Sequence, residues 1–126
     1  MYRVEITHTQ DYSFKVKAKD EEFTVDIKGK GITPPDTFLA GLGTCIGVYI
    51  RKYAEGAKFN LSDFSIVVDA EFSPEPPTRF KNINVSLDLK GAPLDSRRQA
   101  GLLEFVKNCP IHNTLKGNPQ VNLKIV

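Results

Sequence analysis

The run Phe38 to Ile50, Phe-Leu-Ala-Gly-Leu-Gly-Thr-Cys-Ile-Gly-Val-Tyr-Ile, holds no charged side chain and places glycines at 41, 43 and 47. It is well short of the ~20 apolar residues that span a bilayer, so it reads as a buried helix of a soluble protein with no membrane partner. Just ahead of it, Thr33-Pro34-Pro35-Asp36 combines a hydroxyl cap, proline in the first turn and an acid three residues on, all of which favour a helix start. The helix is expected from about Pro34 to Ala54, with polarity returning at Arg51-Lys52 and a stop at Glu55-Gly56. Small or apolar residues on every side predict burial all round rather than along one stripe. Each interior glycine costs ~1 kcal/mol relative to alanine, and the close approach of another backbone is the expected compensation.

The rest of the chain must fold around that helix. Tyr2-Val4-Ile6, Tyr12-Phe14-Val16-Ala18 and Phe23-Val25-Ile27 alternate with polar residues, which predicts a meander of three half-buried strands broken at His8 to Asp11 and Lys19 to Glu22. Lys15, Lys17 and Lys19 project from the face opposite Phe14, Val16 and Ala18, a solvated face that discourages edge pairing. Lys28-Gly29-Lys30-Gly31 is a flexible connection to the helix. Two further strands, Phe64 to Phe72 and Phe80 to Leu89, flank the proline-rich connection Ser73-Pro-Glu-Pro-Pro-Thr-Arg79. A second helix is expected from Pro93 to Asn108, with Leu94, Gln99, Leu102, Leu103 and Val106 on its apolar side. Cys109-Pro110 interrupts it, a short turn or helix runs from Ile111 to Leu115, Gly117-Asn118-Pro119 breaks the chain, and Val121 to Ile125 alternates as a terminal strand. The order βββ, long helix, ββ, helix, β describes an α+β fold with an antiparallel sheet and two major helices.

Composition limits the function classes. With 126 residues, 40% hydrophobic, the chain has the length for one core and one domain, 1–126. Its 17 basic and 15 acidic side chains leave a net charge of +2, too little to announce nucleic acid as a partner. No export signal follows the Met-Tyr-Arg-Val start, so a cytoplasmic location with free or redox-active thiols is expected. Two cysteines cannot make a disulfide framework, nor a zinc site without help from His8 and His112, and neither a metal nor a cofactor is expected.

By themselves the two cysteines are a weak chemical signal. On position alone Cys45 is a small hydrophobe in a core helix. Cys109 stands at a helix interruption, before Pro110 and three residues from His112, where open backbone amides and an imidazole favour thiolate. Spacing does not say whether the two meet.

Gly31-Ile-Thr-Pro-Pro-Asp-Thr-Phe-Leu-Ala-Gly-Leu-Gly-Thr-Cys45 resembles the first signature of the OsmC/Ohr superfamily, the osmotically inducible and organic hydroperoxide resistance proteins. Asn108-Cys-Pro-Ile-His-Asn-Thr-Leu115, followed by a breaker and a last strand, resembles the second. The resemblance implies an OsmC-like fold in an intertwined homodimer with sites at the subunit interface. It also implies a thiol peroxidase, in which Cys45 attacks the peroxide and becomes a sulfenic acid, Cys109 condenses with it to a disulfide, and a small dithiol or lipoyl group reduces the pair. Phe38, Leu42 and Tyr49 are expected to line an apolar pocket that selects organic hydroperoxides.

The sequence departs from the family's peroxidases at the clamp that holds a cation beside the thiolate. The position of their glutamate is Pro35 here, and Asp36, nine residues before Cys45 at ~100° each, points to the opposite face and serves the helix start. Thr9 to Ser13, where the family arginine is expected, contains none. Arg51, Arg79, Arg97 and Arg98 are the candidate substitutes, with Lys15 and Lys17 as candidates across a dimer. Three readings stand: a thiol peroxidase of altered or weak activity, a redox sensor or carrier of small thiol or acyl ligands on the same fold, and a non-enzymatic dimeric scaffold.

Overall fold

The computed structural model describes residues 1–28, 31–61 and 63–126. Its elements are β1 (Glu5–Gln10), β2 (Ser13–Ala18), β3 (Glu21–Asp26), α1 (Pro34–Ala57), β4 (Ser65–Phe72), β5 (Phe80–Asp88), α2 (Ser96–Val106) and α3 (Pro110–Gly117). Of the Lys28 to Gly31 connection, Gly29 and Lys30 lie outside the described residues. The strands form two antiparallel sheets, β1-β2-β3 and β4-β5, rather than the single sheet expected from the alternation. The chain divides into two compact units, Met1–Ala40 and Gly41–Val126.

The first unit is the predicted meander. Ile6, Val16 and Phe23 stand in one row across the strands, and Phe14 pairs with Val25 in the next. These rows share a face, while Lys15, Lys17, Glu5 and Glu22 take the other, with Lys15 and Glu22 3.8 Å apart. The first strand runs later than predicted, to Gln10, because the connection needs only a tight turn at Asp11, whose φ is 47°. The unit ends in the opening turns of α1, where Thr33 and Asp36 cap each other. The Thr33 amide donates to Asp36 Oδ2 at 3.0 Å and the Asp36 amide to Thr33 Oγ1 at 3.3 Å. These bonds hold the Asp36 carboxyl below its ordinary pKa and tie it to the helix start, the role read from its spacing.

In the second unit the inner row of the β4-β5 ladder, Ile66, Val68 and Ala70 opposite Leu87, Val85 and Ile83, covers one side of a core built from α1 and α2. Leu42, Ile46, Ile50 and Ala54 of α1, spaced at helical intervals, meet Leu102 and Val106 of α2, with Leu61, Leu94 and Cys109 closing the cluster. The glycines are explained differently than expected. Side chains rather than a backbone approach them: a Cβ at Gly43 would lie 2.9 Å from Val68 Cγ2 and one at Gly47 3.4 Å from Ile66 Cδ1, whereas Gly41 meets no described atom within 4 Å.

Four further expectations are corrected. α1 is not buried all round in this chain, because Gly41, Thr44 and Val48 form an exposed stripe. It also passes Gly56 to end at Ala57, where Lys58 adopts a left-handed φ of 57°. There the Phe59 amide bonds Ala54 O at 3.1 Å and the Lys58 amide bonds Glu55 O at 3.3 Å, the Schellman pattern. α2 starts at Ser96, not Pro93, because the Asp95 side chain caps it by accepting from the Arg98 amide at 2.8 Å, and Leu103 faces outward at 55% exposure. Val121 to Ile125 is not a strand: α3 ends at Asn118 in the left-handed region, and Val121, Leu123 and Ile125 are 78%, 93% and 101% exposed with no ladder partner among the described residues.

Candidate active site

Cys45 and Cys109 are brought together. Cys45 lies mid-way along α1 between the core positions Leu42 and Ile46 and is half-buried. Cys109 is fully buried, at 0% exposure, and packs in the same cluster. The two sulfurs are within interaction range of each other, both as free thiols.

The break at Cys109 creates this arrangement. Pro110 cannot continue α2 but suits the first position of a new helix, so Cys109, with φ −54° and ψ 122°, becomes the cap of α3. Its sulfur accepts from the His112 amide at 3.5 Å, as an oxygen does in an ordinary cap. The next amide of the same turn, that of Ile111, faces Cys45 and favours its thiolate. Both sulfurs therefore look into the positive end of α3, where amides have no partner within the helix.

Electrostatics at Cys45 are balanced between opposing effects. Burial pushes the Cys45 thiol up, and the Cys109 sulfur, as a hydrogen-bond partner and then through charge, adds to the rise. The Ile111 amide and, more weakly, the Lys52 ammonium pull the other way, and the net direction is upward. Lys52 is seven residues beyond Cys45 and Tyr49 four beyond, so all three share one face of α1. Lys52 Nζ rests over the Tyr49 ring, 4.7 Å from its centroid, and that ring packs at 5.9 Å against Phe105.

The arginines considered as substitutes for the family clamp are occupied elsewhere or exposed. Arg51 donates to Leu61 O at 2.6 Å, Arg79 to Pro77 O at 2.9 Å, and Arg98 lies 5.5 Å over the Phe59 ring, while Arg97 is exposed on α2. Lys15 and Lys17 belong to the other unit, on the polar face of β2. Among the described residues the cation that favours the Cys45 thiolate is Lys52, whose spacing from Cys45 places it on the same face of α1 although no sequence motif marks it. Of the expected pocket residues, Leu42 is a core residue and Tyr49 follows Cys45 by one turn, whereas Phe38 lines an apolar groove of the first unit. Among the described residues no cluster of three or more His, Cys, Asp or Glu is placed to hold a metal ion, and no helix is long and apolar enough to cross a membrane.

A chain of this mixed α+β fold has counterparts among known proteins. The sequence profile of the OsmC-like protein family matches residues 27–124. A hydroperoxide reductase of Mycoplasma genitalium is 25% identical over 132 aligned positions, which cover 98% of this chain and 93% of that one. Among solved structures, an OsmC-like protein of Mycoplasma pneumoniae superposes with a TM-score of 0.81 at 23% identity, over 93% of this chain and 88% of that one. An organic hydroperoxide resistance protein of Legionella pneumophila superposes with a TM-score of 0.67 at 22% identity, over 94% and 92%. The chain belongs to the OsmC-like protein family.

Proposed function

We propose that this chain is a thiol peroxidase that reduces organic hydroperoxides through Cys45 and Cys109. The Cys45 thiolate attacks one peroxide oxygen, the O–O bond breaks, the alcohol leaves with a proton, and Cys45 becomes a sulfenic acid. The Cys109 sulfur then displaces that oxygen as water and forms the disulfide, which an external dithiol or lipoyl group reduces. The observation that carries this reading is the pair of sulfurs at the first turn of α3, where the Ile111 and His112 amides supply positive ends beside them. The hydroperoxide reductase name of the Mycoplasma genitalium relative points the same way. Because burial and Cys109 outweigh the Ile111 amide and Lys52, the Cys45 thiolate is disfavoured, and turnover is slower than in members that keep the arginine-glutamate clamp.

The reading extends to assembly, with the chain as one domain working in a homodimer. Its support is apolar surface left open in each unit. In the first, Ile6, Phe23 and Phe38 line a groove of ≈ 580 Å³. In the second, Val48 on α1 is 50% exposed and Val121, Leu123 and Ile125 are exposed as well. A permanent interface of this kind buries more than ~2,000 Å², and sedimentation that finds a folded monomer at micromolar concentration removes it.

A redox sensor or carrier on the same dithiol is the second reading, favoured by the net upward pull on the Cys45 thiol. The deciding experiment compares thiol loss in the reduced protein with that of free cysteine, using cumene hydroperoxide and hydrogen peroxide. The peroxidase reading predicts faster loss than free cysteine and preference for cumene hydroperoxide, since burying each CH₂ contributes up to ~0.8 kcal/mol. Loss no faster than free cysteine supports the sensor or carrier instead.

A further inference from the structure

Among the described residues one buried side-chain polar atom has no hydrogen-bond partner, Nδ1 of His112. Buried polar groups are almost always satisfied, so an orphan on the residue whose amide caps against the Cys109 sulfur calls for a chemical reason. His112 is the third residue of α3 after the Cys109 cap, and its own amide already donates to the Cys109 sulfur at 3.5 Å. Side chains of a helix tilt toward its N-terminus, and those at this position of a capping box reach back to the cap residue. The usual target of that reach is not available here, because the Cys109 amide donates to Val106 O at 3.1 Å. The imidazole is thus carried to the end of α3 that holds both sulfurs, with a ring nitrogen that no local backbone group uses.

We propose that His112 is the proton carrier of disulfide closure, passing the proton of the Cys109 thiol to the oxygen that leaves Cys45. The inference rests on the peroxidase reading and concerns its second step. As the Cys109 sulfur attacks the Cys45 sulfenic sulfur, the S–S bond forms and the S–O bond breaks. The Cys109 sulfur is oxidised and the sulfenic sulfur reduced. Nδ1 takes the thiol proton and releases it to the departing hydroxide, so that one water leaves and no outside oxidant or acid is consumed. An imidazole suits the task because it exchanges donor and acceptor roles at a single nitrogen near neutral pH.

The test follows the two steps separately in wild type, His112→Asn and His112→Ala. Reduced protein receives one equivalent of cumene hydroperoxide, and samples quenched with dimedone are read by mass for sulfenic acid and for disulfide. Asparagine retains a hydrogen-bonding group close to the place of Nδ1 but cannot carry the proton, whereas alanine leaves space for added imidazole. The expected result is oxidation of Cys45 at the wild-type rate in all three proteins, with closure about 100-fold slower in both variants. Sulfenic acid accumulates, and free imidazole restores closure in His112→Ala. Closure within a few-fold of wild type in His112→Asn overturns the proposal, as does slow closure in His112→Ala that imidazole leaves unchanged. If His112→Ala does not fold, the asparagine variant decides alone. Failure of the wild type to oxidise Cys45 removes the peroxidase reading and this proposal together, whereas oxidised Cys45 with normal closure in the variants removes only the proposal.

Discussion

Replacing Gly43 with alanine sets two effects of similar size against each other. Alanine is the better helix former by ~1 kcal/mol. Its Cβ, however, would stand 2.9 Å from Val68 Cγ2, where carbon atoms prefer about 3.5–4.0 Å. Val68 has little freedom to yield, since it is β-branched and pairs with Val85 inside the β4-β5 ladder. Relief requires β4 to move from α1, an overpacking cost of ~1–3 kcal/mol. The clash wins by about 1 kcal/mol. Gly56, in the last turn of the same helix, meets nothing within 4 Å, so Gly56→Ala keeps only the helix gain, up to ~1 kcal/mol. Thermal melts followed by circular dichroism should place Gly43→Ala below wild type and Gly56→Ala above it, separated by roughly 8 °C for a difference of about 2 kcal/mol in a chain of this size. Gly47→Ala belongs between them, because its neighbour at 3.4 Å is the movable Cδ1 of Ile66. A Gly43→Ala protein that melts with or above Gly56→Ala would refute the claim that β4 dictates glycine at this turn.

Lys52→Met should slow the reaction of Cys45 with an alkylating agent at neutral pH by about two- to threefold, the effect of one exposed charge acting over two helical turns (~10 Å), and added salt should reduce the difference. An unchanged rate shows that the α3 amides act on Cys45 without the cation. The upward-shifted Cys45 thiol also links stability to pH. The folded chain keeps that proton more tightly than the unfolded chain, so the contribution is complete below the ordinary thiol range and is lost as pH rises through it. Denaturant midpoints of the reduced protein should therefore fall with rising alkaline pH by more than those of Cys45→Ser, and parallel curves contradict the direction assigned to the shift.

The sequence showed the elements more clearly than their ends or their meeting points. Alternation located β2, β3 and β5 because a strand with one covered face must place apolar residues two apart, and the apolar run Ile66-Val67-Val68 marked β4. β1 ran later than expected because Thr7, His8 and Gln10 pair with β2 without an apolar signal. Helix ends were lost where a side chain or an unusual φ decided them: Asp95 outcompeted Pro93 as the start of α2, and Lys58, a non-glycine in the left-handed region, ended α1. Val121 to Ile125 alternates as a strand does, but alternation cannot name the edge that receives it. The approach of Cys45 to Cys109 depends on α2 folding back on α1 at Leu102 and Val106, a long-range packing result that local pattern does not contain. Lys52 was legible in the sequence, since residues seven apart share a helix face.

Peptide mapping by mass spectrometry of the wild-type protein after one equivalent of an organic hydroperoxide tests the central claim most directly. A Cys45–Cys109 disulfide should appear, with both thiols lost together. In parallel, Cys109→Ser should stop at an oxidised Cys45 after one turnover, and Cys45→Ser should consume no peroxide. Wild-type protein that leaves both thiols free, or a Cys45→Ser variant that reduces peroxide as fast as wild type, contradicts the account.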